Sequence, residues 1–416
     1  MSAAGPELSQ PGGEGALASV IRGRLDELSS IGKQAGGGIT RLAYTAEERA
    51  AHERFGQWAG GDGCAVTVDG AGNSIATYNE GTPYFLLGSH LDTVVNGGAY
   101  DGTAGVVGAL EAARLLRDLN FGLRVVAFAG EEGARFGRPT LGSSFAAGLL
   151  STEVAGELRD SDGVALAHAA AELGLDPAGC ERWLGDDVAC FFEIHIEQGR
   201  QLEAGAARIG LVDTIAGSVR LRFDVEGRAD HSGATPMSIR LDALAAASEL
   251  VLAVESAARR YRSTVATVGR LEVSPNSVTT VPGHVRVWVD VRDVDSEVQR
   301  TTANSIFERA NEIAETRGVS IHGDVISELA PVVLEAWPRA LAHEECERLT
   351  MPYRVLASGA GHDAAIVARQ APAMMLFIPC VDGISHSPRE LASADDIAAA
   401  ATLLAETVRY AGRLLG

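Results

Sequence analysis

Apolar residues recur at helical spacing from Leu17 to Leu28 and from Thr45 to Trp58, predicting two helices early in the chain. Thr45 with Glu48 three residues on has the spacing of a capping box, and His52, inside that second helix, is expected on its surface. Cys64 to Val68 and Ser74 to Thr77 read as paired strands across the turn-rich segment 69–73. Mostly apolar runs then mark buried strands at Tyr84 to Gly88, Leu123 to Ala129, Ala189 to Ile196 and Met374 to Pro379. The first is followed by a loop and a helix from about Thr103, with Val106, Ala109, Leu110, Ala113 and Leu116 on one face. Strands alternating with helices predict an α/β sheet, and such sheets bind ligands beyond the carboxyl ends of their strands.

Between about Val212 and Leu329 the pattern changes. Val219, Leu221, Phe223 and Val225 alternate with polar residues, as do Val285, Val287, Val289 and Val291, the mark of a sheet with one wet face. The predicted order is strand 219–226, helix 240–260, strands 264–273 and 284–292, helix 296–316 and strand 319–326, a βαββαβ unit. We read it as a domain over 213–329 inserted into a larger one formed by 16–212 and 330–416. Residues 1–15, rich in Gly, Pro, Ser and Ala without periodicity, read as a disordered tail.

Composition narrows the function. A chain of 416 residues has room for two cores, and 35 basic against 55 acidic residues give a formal net charge of -20. That charge argues against nucleic acid or an anionic membrane as partner and favours small molecules. The first basic residue is Arg22 and no apolar run approaches the ~18 residues of a membrane span, so a soluble cytoplasmic protein is expected. Five scattered cysteines with no C-x-x-C pair indicate neither a disulfide framework nor a thiolate zinc site.

The chemistry collects just past the apolar strands: His90, Asp92 and Asp101 after the first, Glu131 and Glu132 after the second, His195 at the end of the third, His386 after the fourth. Histidine plus carboxylate without cysteine suits Zn, Mn, Co or Ni. His90, Asp101, Glu132, His195 and His386 exceed what one cation needs, which suggests two sharing a water, ~3.5–4 Å apart. Asp92 can hold His90 in one tautomer. The bland alternative is a set of satisfied polar loop residues. His362 fits a substrate contact and a helix cap equally, Gly359 and Gly361 could offer backbone N–H groups to a carboxylate, and the segment around Pro139 has no assigned role.

Taken together, GSHLDT at 88–93, YDGTAG at 100–105, EEGARFG at 131–137, HIEQG at 195–199, ADHSGATPM at 229–237, GAGHDA at 359–364 and GISHSPRE at 383–390 closely resemble the M20-type binuclear metallohydrolases. Within them the chain is similar to the amidase, hydantoinase and carbamoylase branch. The resemblance implies a catalytic α/β domain with a mixed sheet, interrupted by a ferredoxin-like dimerisation or lid domain. It also implies two divalent cations per subunit, with His90 and His195 on one, Glu132 and His386 on the other, and Asp101 bridging. Glu131 would be the general base that takes a proton from the bridging water. His231 would complete the active site of a partner subunit in a homodimer. Asn276 and Arg292 would hold a substrate carboxylate, and Gln198 would line the pocket. The implied reaction is hydrolysis of the carbamoyl C–N bond of an N-carbamoyl-L-amino acid. Allantoate and β-ureido acids are the nearest alternatives; an aminoacylase or peptidase activity, or an inactive metal-binding scaffold, is less favoured.

Overall fold

A computed structural model describes residues 13–415. The tail expected at 1–15 lies, through residue 12, outside the described residues, and the first helix, Gly13–Ser29, already begins at residue 13. The chain separates into two compact units, one running to Asp213 and resuming at Leu334, the other spanning Thr214–Val333. In chain order the strands begin with β1 (Ala65–Val68), β2 (Ser74–Asn79), β3 (Tyr84–His90), β4 (Gly122–Phe128), β5 (Val188–Ile196) and β6 (Ile209–Ile215). There follow β7 (Gly217–Glu226), β8 (Asp230–His231), β9 (Val265–Ser274), β10 (Thr280–Val281), β11 (His284–Asp293) and β12 (Ser320–Leu329). The last three are β13 (Val332–Val333), β14 (Tyr353–Ser358) and β15 (Ala373–Ile378).

The large sheet runs β1-β2-β4-β3-β5-β15-β6-β13, with β14 also paired to β6. Its centre is parallel: β3 pairs with β4 and β5, and β15 pairs with β5, all in the same direction. Every residue of β3 and β15 is buried, as parallel strands covered on both faces must be. Helices Gly13–Ser29, Thr103–Leu115, Ala336–Leu349 and Ala394–Leu415 pack on one another, and Ile21, Leu110, Leu403 and Val408 join the strands in one core. Residues 141–187, for which the pattern predicts no element, contain the short helices Leu141–Ala146, Thr152–Glu157 and Leu166–Glu172, which share a small core with Ala43, Tyr44, Ala71 and Phe136. No helix of the described residues is long and apolar enough to cross a membrane, and all five cysteines are free.

The second unit has the predicted βαββαβ order, and its antiparallel sheet runs β12-β7-β11-β9. Burial alternates residue by residue along β7 and β11. Helices Ala243–Ala258 and Ser296–Arg317 cover the apolar face, packing on Leu221, Phe223, Val287 and Val289. Asp242 and Asp295 cap those helices, each accepting two backbone N–H bonds.

Two N-terminal residues depart from expectation. Thr45 does accept the Glu48 amide at 3.3 Å, but the Glu48 carboxylate turns away from the cap: it accepts Tyr44 N at 2.6 Å and Gly130 N at 2.8 Å. His52 is buried rather than exposed. It shares a helix face with Glu48, Phe55 and Ala59, the face that packs on β2, and its Nδ1 meets Ser74 Oγ at 2.9 Å.

Burial, reinforced by the charge of Arg49, lowers the His52 pKa to about 3. The unfolded chain takes up a proton near pH 6.5 that the folded chain refuses, so this stability is complete above pH 6.5 and is lost as pH falls toward 3. The loss approaches ~1.4 kcal/mol per pH unit in that window. A His52→Gln variant should therefore lose less thermal stability than the native protein between pH 6 and pH 4.5, which parallel melting curves would reveal.

Candidate metal centre

The parallel strands β3, β4, β5 and β15 bring their carboxyl ends together, and each delivers part of one cluster. His90 is the last residue of β3 and His195 lies near the end of β5. Glu131 and Glu132 follow β4 within four residues, and Asp101 precedes the helix Thr103–Leu115, whose N-terminus favours negative charge. Between them Gly102 has φ +59, and a Cβ there would lie 2.4 Å from the His90 ring, so only glycine lets the helix start so close to the imidazole.

Asp101 organises the cluster through its two oxygens. Its Oδ1 lies 3.1 Å from His195 Nε2 and 3.5 Å from His90 Nε2. Its Oδ2 lies 3.5 Å from His386 Nε2, which is in turn 3.3 Å from Glu132 Oε2. These are two three-residue groups, His90–Asp101–His195 and Asp101–Glu132–His386, each close enough to share an ion. The donor chemistry fits cations. His195 Nδ1 faces the Ile196 carbonyl at 2.9 Å, which leaves the Nε2 lone pair toward the cluster. That Nε2 is buried, 3.1 Å from Asp101 Oδ1 but outside hydrogen-bond geometry with it.

Asp92 does more than orient His90. Its Oδ1 is 3.3 Å from His90 Nδ1 and accepts Glu131 N at 2.8 Å, while Oδ2 accepts Glu132 N at 3.0 Å. One carboxylate thus fixes a histidine and the backbone of both adjacent acids. The loop after them closes with Thr140 N donating to Glu131 O at 2.7 Å, and Pro139 stands at that closure. Gln198 donates to Asp101 Oδ2 at 2.7 Å, so it touches the cluster itself.

The acids divide electrostatically. Burial pushes Glu131 well above the usual carboxylate range, and Glu132, Asp363 and Asp92 add to the push against the opposing His90. Burial also opposes ionisation of Asp101, but His195, His386 and His90 outweigh it and hold Asp101 well below its usual value. The same carboxylates, Asp101 first and then Glu132, raise His386 to about 10, so protons and cations compete for these nitrogens.

Some participants have no role assigned in the sequence, Glu193 outside the quoted motifs and Asp363 inside GAGHDA. Glu193, two residues before His195 in an apolar run, accepts Ser89 Oγ at 2.8 Å and Ala364 N at 2.9 Å. A buried carboxylate inside such a run is the signal that could have marked it. Asp363 accepts Ser143 Oγ, and the His362 ring packs edge-on against His195 with centroids 4.5 Å apart while its Nε2 meets Ser358 Oγ at 2.8 Å. Gly359 and Gly361 lie on the exposed loop just before it, between β14 and the helix Asp363–Val367. Fully buried Arg41 donates to the carbonyls of Leu28 at 2.9 Å and Leu91 at 2.5 Å and to Thr103 Oγ1 at 3.1 Å, fixing the loop that carries Asp92 and Asp101 from behind.

The remaining candidates belong to the second unit. His231 stands opposite Thr280 in the β8–β10 ribbon, and its Nδ1 accepts Gly233 N at 3.0 Å and Ala234 N at 3.1 Å, which leaves the ring proton on Nε2. Asn276, with φ 53, lies on the exposed turn after β9. Arg292 is half-buried on β11, with NH2 3.1 Å from Asp290 Oδ2.

Three comparisons place this geometry among known proteins. The sequence profile of peptidase family M20/M25/M40 matches residues 86–410. The chain is 40% identical over 396 residues to an N-carbamoyl-L-amino acid amidohydrolase of Geobacillus stearothermophilus, covering 92% of this chain and 96% of that one. It is 35% identical over 395 residues to an allantoate amidohydrolase of Escherichia coli, with 92% and 96% covered. Among solved structures it resembles a hydantoinase/carbamoylase family amidase from Burkholderia multivorans, with a TM-score of 0.84, 34% identity, and 94% and 97% of the chains covered.

Asp92→Asn keeps the shape of the clamp but replaces one acceptor with a donor aimed at a backbone N–H. The variant should hold divalent metal ~10–100-fold more weakly than the native protein, as measured by competition with a chromogenic chelator.

Proposed function

The chain belongs to peptidase family M20/M25/M40, in its carbamoylase and allantoate amidohydrolase branch, and on that premise we propose that it removes the carbamoyl group from N-carbamoyl-L-amino acids. It is an amidohydrolase that cleaves amide C–N bonds. The observation that carries the proposal is Asp101, which turns one oxygen to His90 and His195 and the other toward His386, itself paired with Glu132. In this reading His90 and His195 would hold one divalent cation and Glu132 and His386 a second, with Asp101 within reach of both sets. Zinc, manganese, cobalt and nickel all suit this nitrogen and oxygen set. Bound there, two cations would lower the pKa of a shared water and polarise the scissile carbonyl.

The protein's own groups do the rest. Glu131, 3.8 Å from His90 Nε2, takes the proton of the attacking water and returns it to the leaving nitrogen, a task that its raised proton affinity suits. With its ring proton on Nε2, His231 donates to the oxygen that gains charge, a contribution of roughly 3–4 kcal/mol in comparable oxyanion sites. Arg292 grips the substrate carboxylate with its planar fork, Asn276 adds a hydrogen bond, and Gln198 borders the pocket beside Asp101. Gly359 and Gly361 offer further N–H groups. One water is consumed, and the amino acid, carbon dioxide and ammonia are released. The chain acts as a homodimer in which His231, Asn276 and Arg292 serve the partner's site.

Substrate choice is decided by comparing kcat/KM of the metal-loaded enzyme on N-carbamoyl-L-α-amino acids, N-carbamoyl-β-alanine and allantoate. The first class should lead, and a clear preference for allantoate would replace the proposed substrate. Glu131→Gln should retain metal while kcat falls ~10²–10⁴-fold; near-normal turnover would remove Glu131 from the role of base. Mixing an inactive Glu131 variant with an inactive His231 variant should restore part of the activity in heterodimers, and no recovery would argue against shared sites.

A further inference from the structure

Asp101 can serve two cations only if its backbone is held as firmly as its carboxylate. The loop around it is glycine-rich and ends in the left-handed Gly102. The side chain of Glu390, 289 residues further along, reaches into this loop. Its Oε1 accepts Tyr100 N at 2.8 Å and Asp101 N at 3.0 Å. Its Oε2 lies 2.9 Å from Ser385 Oγ, which is itself 2.8 Å from Asp101 Oδ2. Glu390 therefore holds Asp101 directly at the main chain, while the Ser385 hydroxyl between the two carboxylates has one proton to donate to either of them. The carboxylate is buried, and a Cβ at Gly98 would fall 2.2 Å from its Oε1, so the absence of a side chain there is what admits it. The segment 385–390 also carries His386, so it supplies a candidate ligand for one half-site and the brace for the residue both halves share.

We propose that Glu390 is a positioning residue for the shared ligand: it fixes the loop bearing Asp101 against the segment bearing His386 and so sets the distance between the two half-sites. This rests on the reading of Asp101 as the ligand common to both cations. A glutamate with only a stabilising role would lower the melting temperature on removal and leave metal affinity in the folded protein unchanged. A positioning residue alters the affinity.

The native protein and the variants Glu390→Ala, Glu390→Gln and Gly98→Ala would be stripped with chelator and titrated with manganese(II) by calorimetry, with bound metal counted by elemental analysis. The native protein should take up two ions. Glu390→Ala should bind them ~10–100-fold more weakly. Glu390→Gln keeps an acceptor for the two amides and a polar partner for Ser385, and it should stay within about threefold of native. Gly98→Ala leaves Glu390 in the sequence but displaces its carboxylate, so it should resemble Glu390→Ala and covers the case in which that variant fails to fold. Native-like affinity in both alanine variants would overturn the proposal, as would a Glu390→Gln variant as weak as Glu390→Ala. A native protein that takes up no manganese would instead overturn the reading of Asp101, and the positioning role with it.

Discussion

Carboxylates crowd the carboxyl ends of β3, β4, β5 and β15, where Asp92, Asp101, Glu131, Glu193 and Asp363 are all buried and Glu132 stands at their edge. Taking one ionised carboxylate out of water costs several kcal/mol unless it is paired or hydrogen-bonded, and like charges add to the penalty. The chain answers largely with its own backbone. Asp92 accepts the amides of Glu131 and Glu132, Glu48 that of Gly130, Glu193 that of Ala364, and Glu390 those of Tyr100 and Asp101. Each bond that satisfies an acid also fixes a loop to a strand end. Charge compensation and positioning are therefore the same interactions, and a pair of cations would complete a balance that the three imidazoles only begin.

The fold makes such crowding possible. Parallel neighbours point the same ends in the same direction, so residues far apart in sequence meet without long excursions. Glycine sets the closest approaches, at Gly102 beneath the His90 ring and at Gly98 beneath Glu390. Arg41 is the buried cation behind the cluster, and burial lowers its pKa to about 10. Its hydrogen-bond partners are carbonyls and a hydroxyl, so it braces the loop, while Asp92 and Glu48 lie near enough to interact with its charge.

Much of this was legible in the sequence, for a physical reason. Ligands at strand ends sit beside apolar runs, and the contrast between Tyr84–Leu87 and the polar residues that follow is local. The alternating strands of the second unit were equally plain. What escaped was non-local. Asp92 was legible as a partner of His90, but its grip on two amides some 40 residues away was not. Glu390 stood inside a recognisable motif with no visible task until the loop from Gly98 to Asp101 lay against it. His52 departs from the expected surface position because imidazole counts as polar in a periodicity, although its phase with Phe55 and Ala59 matches the buried face. The helices over 141–172 are six or seven residues long, too short for a period to emerge.

The sharpest division in the site is between two acids that both lie near His90. Asp101 faces three imidazoles, which hold it ionised against the pull of burial. Glu131 meets the same His90 at 3.8 Å but has Glu132, Asp363 and Asp92 around it, and burial together with these acids favours its protonated form. Environments that drive two neighbouring carboxyls apart assign them different work. The one kept charged is suited to hold cations and would gain nothing from binding a proton. On the proposed reading, the one that takes up a proton readily, and is fixed through its amide by Asp92, would carry it between water and a leaving nitrogen. Bringing Glu131 into the position of Asp101 would require moving the imidazoles, two of which, His90 and His195, are anchored in β3 and β5.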